Sequence, residues 1–181
     1  MLLGKRFETF VKQSPVGVMV CGTLERVFQP EQLEQLFEQH AVLQYTKELT
    51  FTQCVGIMSD VVLRVVPTVG TWYKTHPGEL SVTRQAVYDK LKHLELPVSA
   101  ALVQYSGAEL RSCLEYLTPL PPEPLPGYRL RVLDGNHLAG TEHRILELRP
   151  YRAAPLPGQA LVFYDPRFDL LTDVIPCEDA Y

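Results

Sequence analysis

A chain of 181 residues with 46% hydrophobic and 21% charged content can bury a core, which excludes a disordered tail and leaves room for one large or two small domains. Its formal net charge of −4 excludes a protein that coats nucleic acid through positive charge alone, since that mode needs many Lys and Arg to displace counterions; any nucleic-acid contact must be local. No apolar run reaches the roughly 18 residues of a membrane helix, and Met1-Leu-Leu-Gly-Lys-Arg lacks a signal peptide's basic-then-apolar order, so the expectation is no membrane partner and a cytoplasmic location.

Residues 1–118 read as a helical domain. Ser14-Pro15 is a cap with proline in the first turn and opens a helix through Val27. Pro30 starts a second, with Leu33, Leu36 and Phe37 on one face at helical spacing. Thr50 caps a longer segment in which Cys54, Val55, Met58, Val61, Val62 and Val65 make most sides apolar, the pattern of a core helix, and Pro67 ends or bends it. In Leu80 to Glu95, the positions Val87, Leu91 and Leu94 form an inward stripe and leave Arg84, Gln85, Tyr88 and Lys92 outward. Ser or Thr before Arg-Gln-Ala-Val-Tyr is the wording of a helix-turn-helix recognition helix, and equally of a solvated amphipathic face. Pro97-Val-Ser opens a last helix through Leu102, Val103, Leu110, Leu114 and Leu117. The cysteines Cys21, Cys54, Cys113 and Cys177 are scattered without a Cys-x-x-Cys pair, so reduced thiols are expected and neither zinc nor disulfides.

Pro119-Leu-Pro-Pro-Glu-Pro-Leu-Pro-Gly127 forbids helix and reads as a stiff linker over 119–127. Beyond it, 128–181 changes character. Tyr128 to Asp134 reads as a buried strand stopping at an acid, and Gln159 to Pro176 as two strands around an Asp165-Pro166 turn. Thr141 to Arg149 is short and fits either one or two helical turns or a strand, the helical reading being taken. A carboxylate at the end of a strand can hold a metal ion, although Asp134-Gly135 is also ordinary turn wording.

The succession Val132-Leu-Asp-Gly-Asn-His137, Gly140-Thr-Glu-His-Arg144, Leu156-Pro-Gly-Gln-Ala-Leu-Val162, Tyr164-Asp-Pro166 and Val174-Ile-Pro-Cys-Glu-Asp179 resembles the start of the catalytic domain of the DDE transposases of the insertion-sequence-four group. The resemblance implies an α+β protein: a mainly helical amino-terminal domain followed by an incomplete RNase H-like sheet. It implies metal-dependent DNA cleavage and strand transfer, DNA transposon ends as partner, and Mg²⁺ or Mn²⁺ bound by two Asp and a Glu. Asp134 matches the first Asp, as catalytic residue and metal ligand. By this reading too few residues follow Asp134 for the second Asp and the Glu, so the chain is expected to be truncated, to bind metal weakly, to lack activity and to self-associate. One carboxylate cannot clamp two ions about 3.5–4 Å apart.

Two other readings stay open. A non-enzymatic DNA-binding protein could occupy transposon ends through Arg84, Gln85, Tyr88 and Lys92, and a small metal hydrolase could use Asp134, His137 and His143. Asn136 and His137 could also touch DNA phosphate beside Asp134.

Overall fold

The computed structural model describes residues 14–44, 48–116, 121–137 and 159–177, and the chain divides between Glu95 and Leu96 into two units. The described part of the first holds α1 (Pro15–Val27), α2 (Pro30–His40), α3 (Phe51–Val62), α4 (Val69–Thr75) and α5 (Arg84–Lys92). That of the second holds α6 (Leu96–Tyr116), β1 (Val132–His137), β2 (Gln159–Asp165) and β3 (Leu170–Cys177), which makes the protein α+β. Among the described residues no helix is long and apolar enough to cross a membrane.

Local chemistry starts the helices. Pro15 and Pro30 stand in the first turn, where the N–H that proline lacks has no intrahelical partner anyway. Thr50 makes a capping box: its Oγ1 accepts from the Gln53 N–H at 3.1 Å, and the Gln53 side-chain Oε1 accepts from the Thr50 N–H at 3.0 Å. Thr68 and Thr83 cap α4 and α5 by accepting from Thr71 at 3.0 Å and Ala86 at 3.2 Å.

The core of the first unit grows where α2 meets α3. Phe37 stacks on Phe51 with ring centroids 5.3 Å apart, and Glu34 accepts from the Thr52 N–H at 2.7 Å, so an α2 carboxylate caps the start of α3. A second cluster gathers Cys54, Ile57, Val66, Trp72 and Val87 from α3, α4, α5 and the α3–α4 loop. Here the Trp72 indole donates to Asp60 at 2.7 Å and the Tyr73 hydroxyl to the Val82 carbonyl at 2.8 Å, so Trp72 is buried and Tyr73 partly buried with their polar ends satisfied. Burial pushes the Cys54 thiol up to about 11, which makes it a packing group at neutral pH.

The expectation of an apolar-all-round core helix fails for α3. Phe51, Cys54, Val55 and Ile57 form a single buried stripe, while Val62 and Val65 are exposed. The helix stops at Val62 because Arg64 takes a left-handed backbone, φ +60°, and only Val66 returns to the core. Glu95 closes the unit by accepting from the N–H groups of Val42, Leu43 and Gln44 at 2.8–3.1 Å.

In the second unit the sheet order is β1-β2-β3, antiparallel throughout. The β2–β3 hairpin turns at Pro166 to Asp169. Asp165 accepts from the Arg167 N–H at 3.0 Å, an Asx turn that opens the reversal, and Asp169 takes the left-handed conformation, φ +56°, that Asp tolerates. α6 packs on β3, although its sequence places it with the helical domain. A Cβ on Gly107 would stand 2.6 Å from the Leu171 carbonyl oxygen, so only glycine permits this approach of helix to strand. The described part of the proline-rich segment is held to the hairpin: Arg167 donates from Nε to the Pro121 carbonyl at 3.0 Å and pairs with Glu123 at 3.4 Å.

Candidate functional site

Asp134 does not end its strand. β1 starts at Val132 and runs on to His137, with Asp134 opposite Val162, Gly135 opposite Leu161 and His137 opposite Gln159. The reason is cross-strand pairing: β2 offers partners past the acid, and Gly135 accepts an extended backbone there as readily as a turn. Asp134 is exposed on a strand that has a described neighbour on one side only, β2.

Among the described residues no three His, Cys, Asp or Glu side chains gather as a metal site. His143 and the 141–149 excursion lie outside the described residues, as do the side chains of Asn136 and His137.

On α5, the outward positions Arg84, Gln85, Tyr88 and Lys92 are all exposed. At roughly 100° per residue they span about a quarter of the helix circumference, while Val87 on the other side is fully buried. The Gln85 amide donates to Asp89 at 2.9 Å, which places an acid beside this basic face. The α4–α5 connection is residues 76–83, longer than the three- or four-residue turn of a helix-turn-helix.

The most connected charged group among the described residues of the second unit has no motif to announce it. Asp165, read as a turn acid, is the last residue of β2 and is 3% exposed. It pairs with Arg131 and lies 3.9 Å from Arg129. Burial raises its pKa, but the Arg131 hydrogen bond, the Arg167 N–H and the charges of Arg131 and Arg129 outweigh that and hold the carboxyl below the usual carboxylate range. A signal was there in the alternation Arg129-x-Arg131-x-Leu133, because every second residue of an extended chain shares a face.

That face lines a groove of about 540 Å³ between α6 and the sheet, walled by Arg111 and Ser112 on the helix and by Arg129, Arg131, Phe163 and Thr172 opposite. Arg111 pairs with Glu115 at 2.9 Å and stands over the Phe168 ring at 5.1 Å. Asp134 pairs with Val162, the neighbour of the groove-lining Phe163, so its side chain leaves the sheet on the opposite face. Compared with known proteins, the chain matches no family model, no curated protein and no solved structure.

Proposed function

We propose that this chain is part of a DDE transposase of the insertion-sequence-four group, joining a DNA-contacting helical unit to the first strands of an RNase H-like catalytic domain. The observation that carries the reading is the place of Asp134 on the first strand of an antiparallel β1-β2-β3 meander. In an RNase H-like sheet the strand bearing the first Asp has the hairpin strands on one side and later strands on the other, and here the hairpin lies on one side of β1 while no described strand lies on the other. Asp134 is the metal ligand for Mg²⁺ or Mn²⁺ in this reading. A single carboxylate leaves most of the hydration shell of Mg²⁺ in place, and two-metal cleavage needs further carboxylates beside Asp134. In this reading the side of β1 that no described strand covers presents backbone groups that favour self-association.

Incubation with transposon-end duplexes and Mn²⁺ tests the assignment. DNA binding without nicking is the expected result. Specific nicking that survives Asp134→Ala would remove Asp134 from the reaction.

The alternative of a non-enzymatic protein occupying transposon ends draws on the exposed α5 face. If Arg84 and Lys92 each neutralise one phosphate, replacing both with Ala flattens the log–log salt dependence of binding by a slope of about two. An unchanged slope marks α5 as an ordinary solvated face.

A further inference from the structure

The three arginines and three acids in and beside the groove between α6 and the sheet are equal in number but unevenly paired. Arg111 is engaged by Glu115, and Arg131 by Asp165. The same Asp165 carboxylate also accepts from the Arg167 backbone, so little of it is left for Arg129, which it meets only at 3.9 Å. Asp173, the other acid on the wall, accepts from the Gln104 amide and the Val174 N–H, both at 2.8 Å. Among the described residues Arg129 thus has no carboxylate nearer than Asp165 at 3.9 Å, and its side chain is 58% exposed at the mouth of a concave surface that also offers the hydroxyls of Ser112 and Thr172.

We infer that this groove binds a phosphate-class oxyanion, with Arg129 as the principal ligand and Arg131 and Arg111 supplying the positive field around it. A guanidinium presents paired N–H donors that match two phosphate oxygens at once, an arrangement lysine cannot reproduce. The electrostatics agree. Lost solvation, then the charges of Arg111 and Arg131, push the Arg129 pKa below the usual arginine range against the weaker pull of Asp165 and Glu115, and an anion beside Arg129 relieves that repulsion. The oxyanion can be a free phosphate or the phosphodiester of a nucleic acid. The inference does not rest on the transposase reading, since Asp134 lies on the other face of the sheet.

Calorimetric titration of the full chain with inorganic phosphate, pyrophosphate and a short DNA duplex, at constant ionic strength set with chloride, tests it. Saturable phosphate binding is expected, weakened about tenfold to a hundredfold in Arg129→Gln, only partly restored in Arg129→Lys, and unchanged in Lys74→Ala, which removes an exposed cation from α4 of the first unit. Because the Arg129 side chain is largely exposed, these variants should melt with the parent, and a melting curve for each checks this. Displacement of phosphate by the duplex identifies a phosphodiester as the source; binding of phosphate and pyrophosphate without displacement identifies a free phosphate. The inference is overturned if phosphate does no more than chloride, or if Arg129→Gln binds phosphate as tightly as the parent.

Discussion

The two units of the chain hide different things. In the first, the buried residues are apolar: Val27, Leu33, Phe37, Phe51, Cys54, Ile57, Trp72 and Val87 make up most of its described core. In the second, the described buried set is short, Val98, Ala101, Gly107, Ala160 and Phe168, and it includes the carboxylate of Asp165. The first unit is thus organised by the hydrophobic effect, which is non-directional and tolerates many sequences. The second depends on directional contacts: the strand ladder, one helix-to-strand approach that admits only glycine, and a buried acid that needs its arginine.

The sharpest way to break that contrast is to open the aromatic pair of the first unit. Phe37→Ala removes a side chain that is 1% exposed and stacked on Phe51, and should cost about 3–5 kcal/mol in denaturant unfolding. A loss under 1 kcal/mol would mean that the core repacks and that its rings are interchangeable filler.

Gly107→Ala should act on the second unit with a net cost of about 1–3 kcal/mol from overpacking, even though alanine is the better helix former by about 1 kcal/mol. The added methyl meets a backbone carbonyl, which cannot rotate aside as a side chain can. Hydrogen exchange should show faster opening in α6 and β3 and no change in α2 or α3; a stabilised variant would contradict the close approach.

Asp165→Asn should cost about 1–3 kcal/mol at neutral pH, because the amide keeps an acceptor for Arg167 but loses the ion pair with Arg131. The sign of its pH dependence follows from the depressed pKa. The unfolded state binds the proton more tightly, so the contribution is complete above the unfolded carboxyl's pKa and is lost as pH falls through the lower folded value. Parent and variant unfolding curves should therefore converge in acid, and a gap that stays constant would mean the ion pair is not its source.

The smallest effect belongs to Glu95, whose carboxylate is held below the usual range first by the Gln44 N–H, against some desolvation, and then by those of Val42 and Leu43. Glu95→Ala should release protection of those three amides with little change in global stability, as measured by native-state hydrogen exchange. Loss of protection across α5 as well would give this contact a wider role.

Much of the first unit was legible because its signals are local. Pro15, Pro30 and Thr50 mark helix starts by backbone chemistry that needs no tertiary partner, and Leu33, Leu36 and Phe37 share a face by helical geometry alone. The short α4 was missed. Its Thr68 cap follows Pro67, but seven residues carry too little periodicity to register without the Trp72–Asp60 contact that holds them.

In the second unit the Asp165-Pro166 turn and the two strands around it could be read from residue type, since proline and Asx chemistry act over four residues. The rest needed tertiary structure. Whether the strand stopped at Asp134 or ran on to His137 depended on partners in β2 more than twenty residues away, and Gly135 permits either. The side of the chain to which α6 belongs was set by where a helix lacking a side chain at Gly107 could meet a strand. Helix starts, the hairpin turn and the alternation that puts Arg129 and Arg131 on one face follow from neighbours along the chain and can be read without a fold. Which acid those arginines meet waited on the pairing of the sheet, since Asp165 and Asp134 are equally plausible in sequence and differ in which face of the sheet they point from.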